Sequence, residues 1–217
     1  MNSRIQREIL LLLFPISSII VTAILYSFMP EQIPASFTLL GNVASYTELS
    51  AVVFIVPVLS VFYYLYLLIV PMIDKERESY DRFKRAYNIM RLAGGAALAI
   101  INAIYILAIF YPNSIELFIA LKVGIAVGLL FFGDRLPQVK RNHFIGVVNP
   151  WTLKSNYVWQ VTQRFTGKLM FGTAIILLVL SFFNLLWVNA AYIAIVVSLL
   201  IAPHIYALNS FYVKQKK

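Results

Sequence analysis

The chain has 217 residues, of which 61% are hydrophobic and only 12% charged, with a mean hydropathy of +0.81. No soluble domain has so little polar cover, so the composition describes an integral membrane protein. The net charge of +9 would suit nucleic acid, but the cations flank apolar runs, where anionic lipid headgroups account for them and no direct nucleic-acid binding is expected.

A helix needs roughly 20 mostly apolar residues to cross a hydrocarbon core about 30 Å thick. Six runs qualify, at residues 9–29, 51–73, 92–111, 115–132, 169–188 and 191–211. None alternates with a period of two, and unpaired backbone is too costly in lipid, so the fold class is all-α, a polytopic six-helix transmembrane bundle. The first run exceeds the apolar core of a secretory signal and no A-x-A site follows it, so it reads as an anchor.

The spans organise one integral membrane domain over 1–217. The first two lie within 9–73 and enclose an outer loop at 30–48. Spans three and four lie within 92–132, an inner loop fills 133–168, and spans five and six form a hairpin within 169–211. With the amino terminus inside, every Lys and Arg except Lys122 falls on the cytoplasmic side, including Arg4, Lys216 and Lys217, while Glu31, Glu48 and Glu116 lie outside. The positive-inside rule therefore predicts that both termini are cytoplasmic, in a multi-pass protein of the cell membrane whose immediate partners are lipids.

In the outer connection, MPEQIPASFTLLGNVASYTEL, Pro30, Pro34 and Gly41 disfavour a helix and Tyr46 suits an interface, which predicts an ordered loop lying on the membrane. In the inner segment 74–91, Tyr80, Phe83 and Tyr87 recur at helical spacing. They predict a solvated juxtamembrane helix with local pairing between Asp81 and Arg85. Gly124 and Gly128 form a small-xxx-small pattern expected to pack helices closely. Pro57 and Pro203 are expected to kink their spans, and Asn189 and Ala190 to make a tight turn between the last two, with Trp187 at the outer interface.

Lys122 is the one cation inside a span, where a charge costs roughly 2.5 to 3.5 kcal/mol. Either it snorkels outward or pairs with Glu116 or another outer carboxylate, or it is a buried contact for an incoming ligand. The candidate ligand-binding residues are Lys122, Glu31, Glu48, Tyr46 and Asn102. His143 reads as loop surface, and His204 as a partner for a carbonyl freed by Pro203. Two lone imidazoles, without cysteine or an acidic cluster, predict no metal site. No H-E-x-x-H, G-x-S-x-G or P-loop pattern occurs, so no catalytic residue and no cofactor is expected and the chain does not read as an enzyme.

The inner loop concentrates the remaining signals. Gly133, Pro137, Gly146 and Pro150 set turns, Trp151 and Trp159 supply interfacial rings, and Ser155 would cap a helix running through Trp159, Gln163 and Arg164 into the fifth span. The stretch LPQVKRNHFIGVVNPWTLKSNYVWQVTQRFTGKL resembles the signature of the SdpI family, bacterial membrane proteins typified by an immunity protein against a secreted toxin peptide. The matches are Gly133, Leu136, Pro137, Lys140, Asn142, Ile145, Gly146, Pro150, Trp151, Thr152, Leu153, Val158, Trp159, Arg164, Gly167 and Lys168. The outer segment PEQIPASFTLLGNVASY is similar to a domain of unknown function that often precedes this signature. Departures include Asp134 for the usual Asn, Val147 and Val148 for I/V-R, Gln163 for His, Ser36 and Thr38 for His and Asn, and Ala44 for Asp.

The resemblance implies protection of the cell from a toxin or bacteriocin-like peptide, and a second, signalling role in which a cytoplasmic transcriptional repressor is held at the membrane. The alternatives are a small exporter of peptides or lipophilic compounds with Lys122 and Asn102 along its path, and a membrane enzyme acting on lipid or envelope precursors. In the latter His143 would work with Asp134.

Overall fold

The structure, a computed structural model, describes residues 3–215, with side chains from 6 to 214. Lys216, Lys217 and the Arg4 side chain lie outside the described residues. Six helices are long and apolar enough to cross a membrane. They are α1 (Ser3–Tyr26), α2 (Ile55–Ile73), α4 (Lys84–Phe110), α5 (Ile115–Arg135), α7 (Asn156–Leu180) and α8 (Leu186–Gln215), with two short helices, α3 (Ser79–Arg82) and α6 (Pro150–Lys154), between them. Helices α1, α2 and α4 pack on one another, α5 packs on α7, and α7 on α8; the two groups meet where α4 packs on α5. One end of the bundle carries most of the cations, and the other carries a β-hairpin.

That hairpin replaces the loop predicted for residues 30–48. Strands β1 (Gln32–Phe37) and β2 (Val43–Glu48) pair antiparallel, with Ile33 opposite Thr47 and Pro34 opposite Tyr46. Pro34 is compatible because each strand of a two-stranded sheet is an edge, where a missing N–H leaves no ladder bond unmade. Gly41, at φ +84°, closes the tip, where its N–H donates to Thr38 O at 3.0 Å. Ile33 is fully buried among Met29, Val53, Ile106 and Ile109, so one side chain fastens the hairpin to the membrane helices. The Asn113 side chain, from a residue at φ 65° between α4 and α5, accepts from Val43 N at 2.7 Å.

The basic end differs from expectation as well. Tyr80, Phe83 and Tyr87 are not a headgroup-facing stripe. They are buried, with ring centres 5.1 to 6.0 Å apart, in a core that includes Leu67, Val70, Leu136, Val139 and Trp159. The single juxtamembrane helix expected there is broken: Phe83, at φ −127° and ψ 23°, separates α3 from α4, and the folded signature segment packs against all three rings. Asp81 and Arg85 form no ion pair; Arg91 of α4 instead couples helices here, its guanidinium clasping Glu8 of α1 in two bonds of 2.9 and 2.8 Å.

Three further expectations change. Gly124 and Gly128 face open space, and the close approaches are made by Gly94 against Tyr63, Gly95 against Phe14, and Gly133 against Gly167. Pro57 sits in the first turn of α2, just after a 3-10 turn at Ala51–Phe54, and the proline in the body of that helix is Pro71. Helix α7 ends at Leu180 and α8 starts at Leu186, so residues 181–185 make the turn and Asn189 lies inside α8. Asn184 in the turn and Asn189 in the first turn of α8 both bond the hairpin, which fixes the turn earlier than hydropathy suggests.

Candidate functional site

At the hairpin end, Lys122 is 4% exposed and neither snorkels nor pairs with Glu116, whose carboxylate instead accepts from Ser114 Oγ at 2.9 Å. Its ammonium donates to Phe183 O and to Asn189 Oδ1, both at 3.0 Å, and lies 5.0 Å from the centre of the Phe118 ring. Charge-assisted bonds to two oxygens and a ring face offset part of the burial cost that a bare ammonium would carry. Asn189 then donates to Leu39 O at 2.8 Å and to Asn184 Oδ1 at 2.7 Å, and Asn184 donates to Leu40 O at 3.0 Å. A continuous polar chain therefore runs from the buried ammonium to the hairpin tip.

The other candidate residues are spread out. Glu31 and Glu48 stand exposed at the hairpin base, where Leu49 N donates to Glu31 O, and Tyr46 projects from β2 at 51% exposure. Asn102 is buried elsewhere, between α4 and α1, donating to Thr22 Oγ1 at 3.1 Å and to Ser18 O at 3.4 Å, with its own Oδ1 unpartnered. The structure thus places Lys122 under the tip, the carboxylates at the base, and Asn102 in a separate polar seam.

The signature segment folds into a cap over the basic end. Gly133 and Gly167 are the crossing point of α5 and α7: a Cβ on Gly167 would lie 2.6 Å from Gly133 O and 2.6 Å from the Pro137 ring. Asn142 is the hub of the loop. Its Oδ1 accepts from the N–H groups of Phe144 and Ile145, and its Nδ2 donates to Lys140 O and Ile145 O. Gly146, at φ +104°, brings the chain against Gln163, whose amide exchanges two bonds with the Val147 backbone. Asn149 and Thr152 form a capping box that starts α6 at Pro150, and Ser155 caps α7 as expected. Trp159 is buried with its indole N–H on Val139 O at 2.9 Å, so it is core and not an interfacial ring. Trp151 is half-buried, while Lys140, Arg164 and Lys168 face outward. Most of the signature is therefore scaffolding, and its cations decorate the surface.

Sequence reasoning missed Asp74, which anchors the cap from the end of α2. Its fully buried carboxylate accepts from His143 Nδ1 at 2.8 Å, His143 N at 3.0 Å, Tyr80 Oη at 2.8 Å and Glu76 N at 2.9 Å. Burial alone would raise this carboxyl, but the four donors outweigh it and hold it below its ordinary value. The Tyr80 hydroxyl is driven upward by burial and by its bond to Asp74. His143 thus works with Asp74, not with Asp134, which pairs with Arg135 at 3.0 Å. Through its backbone N–H and ring nitrogen, His143 fastens the loop to the end of α2. His204 reaches Asn149 Nδ2 at 3.2 Å, tying α8 to the cap in place of the expected carbonyl contact. The signal for Asp74 was available: it is the acid that directly ends an apolar span.

Comparison with known proteins bears on both ends. Residues 138–207 match the model of the SdpI/YfhL protein family, from the start of the cap through most of α8. The chain is 29% identical over 207 residues to the immunity protein SdpI of Bacillus subtilis (strain 168), covering 93% of this chain and 96% of that one. No solved structure matches. Residues 138–207 thus carry the SdpI/YfhL family pattern, within a multi-pass cell-membrane protein similar over nearly its whole length to a bacterial immunity protein.

Proposed function

We propose that this chain, acting as one integral membrane unit, is an immunity protein that protects its cell from a secreted toxin peptide. The observation that carries this reading is its similarity, nearly end to end, to a protein named for immunity. With both termini and the basic end in the cytoplasm, as the positive-inside rule requires, the hairpin is the part of the chain presented to an incoming peptide. Phe37, Leu39 and Tyr46 are exposed there, offering apolar contact to a membrane-active peptide, and Lys122 lies behind the tip through Asn189. Glu31 and Glu48 give the rim a negative charge suited to a cationic toxin.

Signalling is the finer part of the proposal. The cap is held rigidly by Asn142, Asp74 and Trp159, and its outward Lys140, Lys154, Arg164 and Lys168 make the surface on which a cytoplasmic transcriptional repressor would dock. The test is expression in a sensitive strain challenged with a panel of membrane-active toxin peptides. At least a tenfold gain in survival against one of them is expected; no gain against any contradicts the reading.

A further inference from the structure

We infer that the bundle holds one acyl chain of a membrane glycerophospholipid in a cavity between its two helical groups, floored by the signature cap. The cavity measures about 440 Å3. Helices α2 and α4 line one side and α5, α7 and α8 the other, and α2 and α8 are not among the closely packed helix pairs. Its mouth is flanked by Tyr66 and Leu200, 46% and 70% exposed on the lipid-facing surface of helices long and apolar enough to span a bilayer. The cavity is thus continuous with the surface that meets hydrocarbon.

The chemistry of the walls selects the occupant. Water does not settle in an apolar cavity, and an empty one forfeits the dispersion contacts of every wall atom. A space of this size opening sideways into lipid is filled by what surrounds it. The lining is also polarised along the helices. Away from the cap it is aliphatic, with Leu129 and Val196. Toward the cap stand His204, held by Asn149, and the Tyr66 hydroxyl, which donates to Phe144 O. Pro203 has no N–H to offer the carbonyl four residues earlier, which adds an acceptor at that level of α8. An amphiphile with its ester and headgroup toward the basic end and its tail toward the bundle centre matches this gradient.

The test compares full-length protein purified in mild detergent, with bound lipid counted by native mass spectrometry and by extraction. The wild type is expected to retain about one phospholipid per chain through detergent exchange. Val196→Trp, which fills the cavity, is expected to retain at least fivefold less, whereas Val197→Trp, on the neighbouring lipid-facing position, retains as much as wild type. Met170→Trp fills the same space from α7 and must show the same loss, which covers the case of a misfolded Val196 variant. A wild type stripped of lipid, a cavity that retains a peptide in place of lipid, or filled variants that keep lipid at the wild-type level would each overturn the inference. Because the readout is lipid, survival against toxin is a separate result that stands or falls by itself.

Discussion

Two glycines in α7 should respond in opposite directions to the same substitution. At Gly167 an added Cβ meets Gly133 O at 2.6 Å and two carbons of the Pro137 ring at 2.6 Å, and neither a helix carbonyl nor a proline ring can swing aside. Over-packing usually costs about 1–3 kcal/mol, and three rigid contacts place this site at the upper end, about 3 kcal/mol. Alanine recovers about 1 kcal/mol of helix propensity, leaving Gly167→Ala less stable by about 2 kcal/mol. At Gly172, five residues along the same helix, nothing lies within 4 Å, so Gly172→Ala keeps the propensity gain and is more stable by up to about 1 kcal/mol. Thermal unfolding of the two variants in one detergent, followed by circular dichroism, reads the difference of about 3 kcal/mol directly. A Gly167→Ala protein as stable as Gly172→Ala would refute the close α5–α7 crossing and the structural reading of the signature glycines.

Lys122→Met should leave stability within about 2 kcal/mol of wild type, because losing two charge-assisted bonds is offset by no longer burying an ammonium. Toxin survival should nevertheless fall at least tenfold if the ammonium supports the hairpin tip. Asp74 gives a pH signature: its folded carboxyl lies below the ordinary 3.8, so its contribution is complete above about pH 4 and is lost as pH falls through the folded value. Acid unfolding curves should therefore show a loss of stability in the wild type below that point which is absent in Asp74→Asn, itself less stable at neutral pH. Gly146→Ala places a Cβ 2.8 Å from Gln163 Oε1 at φ +104° and should destabilise the cap by about 1–3 kcal/mol, seen as faster hydrogen exchange in residues 142–155.

Hydropathy located all six spans because a membrane helix declares itself by length and composition. It placed their ends poorly wherever side chains, not apolarity, decide. Helix α7 starts at Asn156 because Ser155 caps it, and α8 starts before Asn189 because that side chain bonds the hairpin. The β-hairpin was illegible: Pro34 and Gly41 are loop signals, and of the two strands only Ile33 and Pro34 are buried, too few to alternate visibly. Asn142, Trp159 and Lys140 all fit the signature pattern, yet motif spacing does not say that Trp159 and Asn142 are core while Lys140 is surface. The Asp74–His143 contact joins residues far apart in the chain, and no local pattern reports such a pair.

Which side of the membrane each end faces decides every role assigned to them, and a chain without cysteine allows a direct measurement. Single cysteines at Ala44 in β2 and at Lys154 in the cap, probed with a membrane-impermeant maleimide, separate the two possibilities. The expected result is that Ala44→Cys is labelled on intact cells and Lys154→Cys only after permeabilisation. The reverse pattern would put the hairpin in the cytoplasm and contradict the proposal that it meets the toxin.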